Sequence, residues 1–203
     1  MHKKLFVTGI GTGVGKTITS AIFTQYFQAD YWKPVQSGDL HQSDSMNIKS
    51  LVDEHLKIHS ENYRLRIAAS PHQSARLENI EISLDSFKLP ETNNHLIAEG
   101  AGGLFVPLNK QIFVIDLIQK LDIPTVLVSR NYLGCINHTL LSIQALQQRN
   151  IKVDYMVLNG DFNPDSEQII LKNLDHYTKI VRLPEFGKLD KKDIKKVCTT
   201  LSL

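Results

Sequence analysis

The sequence is poor in several features, and each shortage excludes something. Two cysteines, Cys135 and Cys198, in 203 residues are too few for a disulfide framework and fit a reducing compartment. Charge of one sign is nearly absent in excess: 23 Lys+Arg against 21 Asp+Glu leave a formal +2. No strong field therefore favours nucleic acid. Long apolar runs are missing too, and none approaches the ~20 residues that cross a bilayer. The first, Leu5 to Val7, stops at Thr8-Gly9, short of the roughly 7–15 residues in the core of a secretory signal. These shortages lead to the expectation of a cytoplasmic protein that binds neither membrane nor nucleic acid. Repeats, low-complexity tracts and interdomain linkers are also lacking. At 42% hydrophobic and 22% charged residues the chain is globular rather than disordered. Its length suits one domain over 1–203 with a full core.

What is present is alternation. Residues 4–9 read as a buried strand, and 17–28 as a helix with Ile18, Ala21, Ile22, Phe23, Tyr26 and Phe27 at helical spacing. A second strand covers 31–35, with Pro34 ending it early. Strands follow at 95–100, 123–129, 153–159 and 178–183, and helices at 112–121, 136–149 and 165–174; 190–197 is a charged amphipathic segment. The stretch 36–92 is polar and irregular, and should hold one or two helices with loops over the carboxyl edge of the sheet. Strand and helix in turn imply an α/β fold, a parallel sheet with right-handed crossovers and helices on both faces.

The strongest chemical signal is GIGTGVGKT at 9–17, between the first strand and the first helix. Glycines let the backbone curl so that its N–H groups converge on phosphate oxygens, and the helix points its positive end at the same place. Lys16 would reach the β- and γ-phosphates and the Thr17 hydroxyl would ligate Mg²⁺. The strict phosphate-loop pattern asks for glycine where this chain has Ile10, flanked by Gly9 and Gly11.

Further segments end at the same predicted edge. WKPVQSG at 32–38 puts Lys33 beside a proline on a buried strand, where an ammonium needs an anion to offset desolvation. A solvated lysine on an edge strand is the alternative. EGAGG at 99–103 places Glu99 where ligands bind in open α/β sheets, as a candidate metal ligand; a plain strand-to-loop turn is the alternative. Asp44 is another candidate carboxylate, and Ser43-Asp44 also makes a good helix N-cap. NYLGCINHT at 131–139 opens a helix whose free N–H groups could hold a carboxylate. Asn159 ends the next strand, where an amide could read a base. Cys135, His72 and His138 read as packing residues, and His55 and His59, spaced i,i+4, as a solvated helix face rather than a zinc site.

Taken in order, VTGIGTGVGKT, WKPVQSG, Ser43-Asp44, Ser70-Pro71-His72, EGAGG followed by Pro107, LGCINHT and Leu158-Asn159-Gly160 resemble the dethiobiotin synthetase family. The resemblance covers most of the chain and fades after about residue 185. It implies a P-loop NTPase fold and an ATP- and Mg²⁺-dependent ligase that carboxylates and cyclises 7,8-diaminononanoate through a carbamate and a carbamic-phosphoric anhydride. Carried over by position, Gly13, Val14, Gly15, Lys16, Thr17 and Ile18 would hold the triphosphate. Lys16 and Lys33 would be catalytic, and Thr17, Asp44 and Glu99 would hold the metal beside Gly100, Ala101 and Gly102. Thr12, Ser37, Ser70 and Pro71 would meet the substrate. Asn159, Gly160, Leu183, Pro184 and Glu185 would contact the nucleoside. In this family homodimers form the site at their interface, so Leu133, Gly134, Cys135, Ile136 and Asn137 would clasp the substrate carboxylate of the neighbouring subunit. Gly11 and Gly13 stand where many members carry acids or amides.

Two other classes share the loop. Partition and septum-site ATPases carry a signature lysine that aligns with Gly11, so it is missing here. Amide-forming ATPases of cobalamin synthesis carry a glutaminase domain for which this chain has no room.

Overall fold

The computed structural model describes residues 2–203. In chain order its elements are β1 (Lys4–Gly9), α1 (Lys16–Phe27), β2 (Asp30–Trp32), β3 (Val35–Ser37), α2 (Asp44–Leu51), β4 (Ile58–His59), β5 (Tyr63–Leu65), α3 (Pro71–Leu77), a 3-10 turn (Leu84–Ser86), β6 (Leu96–Gly103), α4 (Val114–Leu121), β7 (Thr125–Arg130), α5 (Cys135–Gln148), β8 (Val153–Asn159), α6 (Pro164–Lys172), β9 (Lys179–Leu183) and α7 (Lys191–Thr200). Seven strands form one sheet in the order β4-β2-β6-β1-β7-β8-β9, and every pair is parallel. The chain winds outward from β1 in both directions. The switch point therefore lies at the carboxyl ends of β6, β1 and β7, where an open α/β sheet leaves its crevice.

The period of two along each strand sorts the core into two layers. Leu5, Val7, Ile97, Val126 and Val157 pack with Ile22 and Phe23 of α1, Ile48 of α2 and Ile194 of α7. Phe6, Ala98, Leu127, Met156 and Leu158 face the other way, against Val114 and Ile118 of α4, Ile143 of α5 and Ile170 of α6. The expected fold class, a parallel sheet covered by helices on both faces, is the fold observed. On α4 the spacing named the buried stripe: Val114, Ile115, Leu117, Ile118 and Leu121 are all inward.

The structure departs from the sequence reading in several places, and β6, expected over 95–100, runs on to Gly103. The strand expected over 31–35 is two strands. Pro34 donates no hydrogen bond, so the chain leaves the main sheet after Trp32; β3 pairs instead with β5 in a separate two-stranded parallel sheet. Residues 36–92, expected to hold one or two helices, hold two, α2 and α3, and beyond them β4 and β5, too short to show an alternating pattern. His55 and His59 share no helix: α2 ends at Leu51 and His59 lies on β4, its Nε2 2.9 Å from Asp30 Oδ2. The charged tail is a full helix, α7, started by a reciprocal Asp190–Asp193 capping box and pinned to α1 through Ile194 in the shared core.

Candidate active site

β1 delivers the glycine loop. Gly13 and Gly15 adopt φ of 72° and 99°, a region that disfavours any Cβ. At Gly15 a Cβ would also stand 2.3 Å from the Asn159 amide nitrogen. That amide donates to the Val14 carbonyl at 2.9 Å, so the outward carbonyl is held from behind while the N–H side stays open. Gly15 caps α1 with no side-chain partner, and the first-turn N–H groups are thus free for an anion. Val14 turns its side chain into the core, leaving only its backbone to the loop. Gly103 runs against Gly11, where a Cβ would lie 3.4 Å from the Gly11 backbone. The small residues after Glu99 thus let the end of β6 pass in contact with the glycine loop.

Lys33 sits at the end of β2, 3% exposed. Its ammonium donates to Asp44 Oδ2 at 2.7 Å, Glu99 Oε1 at 3.0 Å and the Gly100 carbonyl at 3.0 Å. The Thr17 hydroxyl is 3.0 Å from Asp44 Oδ1 and 3.1 Å from Glu99 Oε1. Asp44 is the first residue of α2, and Ser43 is the N-cap, accepting from the Met46 N–H. Lys16 is buried in the same cleft with its Nζ 2.8 Å from the Gly11 carbonyl. Burial, and then the neighbouring Lys33, lower its pKa to about 8. For Lys33 burial pulls the same way, but Glu99, Asp44 and their hydrogen bonds outweigh it and hold the ammonium above the ordinary lysine value. Asp44 resists its own burial through Lys33 and Thr17 and stays below the usual carboxylate range.

A cavity of about 950 Å³ opens on this cluster. Thr12, Gly13, Gly15, Lys16, Thr17, Ile18, Lys33, Ser37, Asp44, Ser70, Pro71, Glu99, Ala101 and Gly102 line it. Gly100 reaches the cluster through its carbonyl. Ser37 is committed elsewhere, its hydroxyl on the Ala69 carbonyl at 2.7 Å and on Ser74 at 3.0 Å, so it fixes the wall that carries Ser70.

The remaining candidates lie outside this cavity. Asn159 and Gly160 end β8 behind the loop, and Gly160 N–H donates to the Leu183 carbonyl at 2.8 Å. Leu183 is buried, which leaves only its backbone available, while Pro184 and Glu185 are exposed. Leu133, Gly134, Ile136 and Asn137 sit at the start of α5, away from the cavity of their own chain. Leu133 is fully exposed, Gly134 caps α5 with no side-chain partner, and Cys135 is buried. His138 is exposed, not packed; Tyr132 draws it out through a 2.6 Å hydrogen bond.

Three residues escaped the sequence reading. Tyr31 donates its buried hydroxyl to Glu99 Oε2 at 2.9 Å. It lies two residues before Lys33 on the same strand, so period-two spacing carried the signal. Gln36 accepts from the Asp44 N–H at 3.1 Å and sets the start of α2. Arg130, at the end of β7, spans the Gly13 carbonyl at 3.4 Å and the Glu185 carboxylate. Neither of the latter had a local sign.

The donor set suits magnesium: a hydroxyl and two carboxylates at hydrogen-bond separation, all hard oxygens. Among the described residues no three or more His, Cys, Asp or Glu side chains converge as a metal cluster. A magnesium here would share its remaining positions with phosphate and water, as is usual for that ion.

Glycine loop, uncapped helix and parallel sheet define a P-loop nucleotide-binding protein. A family model described as an AAA domain matches residues 3–193. The ATP-dependent dethiobiotin synthetase of Cytophaga hutchinsonii is 51% identical over 90% of this chain and 89% of its own. The synthetase of the same name from Christiangramia forsetii is 45% identical over 96% and 94%. The chain belongs to the ATP-dependent dethiobiotin synthetase family and is an ATP-dependent ligase. Among solved structures, the septum site-determining protein MinD of Pyrococcus horikoshii, complexed with Mg-ADP, superposes with a TM-score of 0.55 at 14% identity, over 92% of this chain and 82% of that one. That likeness is one of fold.

Proposed function

We propose that this chain converts 7,8-diaminononanoate, CO₂ and ATP to dethiobiotin, ADP and phosphate. The observation that carries the reading is the meeting of Lys16, Lys33, Thr17, Asp44 and Glu99 on one cavity at the carboxyl edge of the sheet. One amine of the substrate adds to CO₂ and loses a proton, giving a carbamate. A carbamate oxygen takes the γ-phosphoryl group, and ADP leaves. The second amine attacks the carbonyl carbon, loses its proton and expels phosphate, closing a cyclic urea.

Such a transfer needs positioning and charge neutralisation more than covalent help. The loop backbone from Gly13 to Ile18 holds the triphosphate; Lys16 and Lys33 neutralise the carbamate and the phosphoryl group in flight. Thr17, Asp44 and Glu99 would hold Mg²⁺, which when bound screens the phosphate charge. Neither lysine has to act as a base. The attacking amine must be neutral, and nearby ammonium groups disfavour its protonation. Asn159, Gly160, the Leu183 backbone, Pro184 and Glu185 border the nucleoside.

The α5 start lines no part of its own cavity, Gly134 caps it without a side-chain partner, and Leu133 is exposed, although the Cys135 N–H is taken by the Tyr132 carbonyl. This supports a homodimer in which residues 133–137 hold the carboxylate of a diamine bound to the partner. Among the described residues no helix is long and apolar enough to cross a membrane.

Coupled ADP release, measured with and without the diamine and followed by detection of dethiobiotin, tests the reading. Diamine-dependent ADP release with product is expected. A folded sample that releases ADP equally without the diamine and forms no product would refute it and leave a switch ATPase.

A further inference from the structure

Every oxygen proposed to ligate a divalent ion is already engaged. Asp44 divides its carboxylate between Lys33 and Thr17. Glu99 gives Oε1 to Lys33 and Thr17, and Oε2 to Tyr31. The ammonium that meets both carboxylates is itself locked, since Lys33 is 3% exposed and has the Gly100 carbonyl as a third partner. With Lys16 in the same cavity, ammonium groups and carboxylates balance. A divalent cation entering that wall alone would meet the Lys33 ammonium on both carboxylates and would have to strip it from its partners. A triphosphate changes the balance by bringing anionic oxygens for both lysines.

We propose that Lys33 is a resident counter-ion that keeps the divalent cation off Asp44 and Glu99 until nucleotide arrives. Metal and triphosphate then bind together, and only then is the Lys33 ammonium released toward the transferring group. The inference rests on the reading of Thr17, Asp44 and Glu99 as metal ligands.

Mn²⁺ is the probe, titrated into the full chain and followed by the electron paramagnetic resonance of the free ion. Titrations are run with and without the non-hydrolysable triphosphate AMP-PNP, and the Mn²⁺ held by AMP-PNP in protein-free controls is subtracted. Wild type should bind Mn²⁺ at least about tenfold more weakly without AMP-PNP than with it. Lys33→Met should tighten nucleotide-free binding about tenfold or more, because the competing charge leaves the carboxylates. Lys33→Arg keeps the charge and should behave as wild type. Lys16→Met removes the same charge from the same cavity without touching the carboxylates, and should change nucleotide-free binding less than about threefold.

Wild type that binds Mn²⁺ equally in both conditions overturns the inference, whether or not Lys33→Met folds. So does Lys16→Met matching Lys33→Met. Absence of Mn²⁺ binding in both conditions removes the ligand assignment and the inference with it. A chain that makes dethiobiotin but binds Mn²⁺ freely keeps the reaction and loses the guard. One that excludes Mn²⁺ but makes no product loses the reaction alone.

Discussion

Asp30 and Lys33 stand at opposite ends of the same short strand, and both are buried charges. At the amino end, Asp30 accepts from His59 at 2.9 Å, Thr92 at 2.7 Å and Asn94 at 3.2 Å. Those partners come from β4 and from the segment leading into β6, and the network closes on itself with no cavity beside it. At the carboxyl end, Lys33 is also well partnered, but its cluster forms the wall of a cavity of about 950 Å³. Buried charge alone therefore marks no site. The Asp30 network ties strands together, whereas the Lys33 cluster can exchange its partners for a ligand because space adjoins it.

The sharpest test of that contrast is Lys33→Met. Turnover should fall about 10²–10³-fold, as when a transition-state donor is deleted, with circular dichroism unchanged. Near-normal turnover would make the two ends of β2 equivalent. Asp30→Asn should do the reverse, costing about 1.5–3 kcal/mol of stability, the value of hydrogen bonds to a charged group, with turnover within about twofold.

The sign of the acid dependence follows. Burial raises the Asp30 pKa, but Thr92, His59 and Asn94 outweigh it and hold the pKa low. Its stabilisation is present above the unfolded carboxylate value of about 3.9 and is lost as pH falls through the lower folded value. Melting temperatures measured below about pH 4 should therefore drop more steeply in wild type than in Asp30→Asn. A parallel drop would detach Asp30 from stability.

The smallest expected effect concerns Lys16, whose pKa is lowered to about 8 in the ligand-free cleft. Phosphate favours the charged lysine, so binding takes up a proton above that pH. Nucleotide affinity should hold below about pH 8 and weaken above it by at most about tenfold per pH unit. Calorimetry in buffers of different ionisation heat would register the uptake above about pH 8. A flat profile to pH 10 would place Lys16 away from the phosphates.

How much of this was legible depended on the range of the cause. Lys16 and Thr17 were readable because a glycine loop between strand and helix is a local pattern. Glu99 was readable because a run of small residues, Gly100 to Gly103, follows it, although β6 runs on through them. Tyr31 was recoverable from its two-residue spacing to Lys33. Gln36 was not, since its bond to the Asp44 N–H depends on where the chain turns after β3. The β3–β5 sheet stayed hidden because both strands are three residues long and their pairing joins distant segments. Leu183 was named for the nucleoside, yet β9 turns its side chain inward and offers only backbone.

The sequence alone determined which chemistry is available: a phosphate-binding loop, two lysines and two acids. Tertiary structure decided that these meet, and that the Asn159 amide braces the loop from behind. It also decided that Lys33 rests on the carboxylates instead of standing free. The reason is physical. Loop conformation and strand burial follow from neighbours along the chain, but a desolvated ammonium chooses its partners from whatever the folded sheet places within reach.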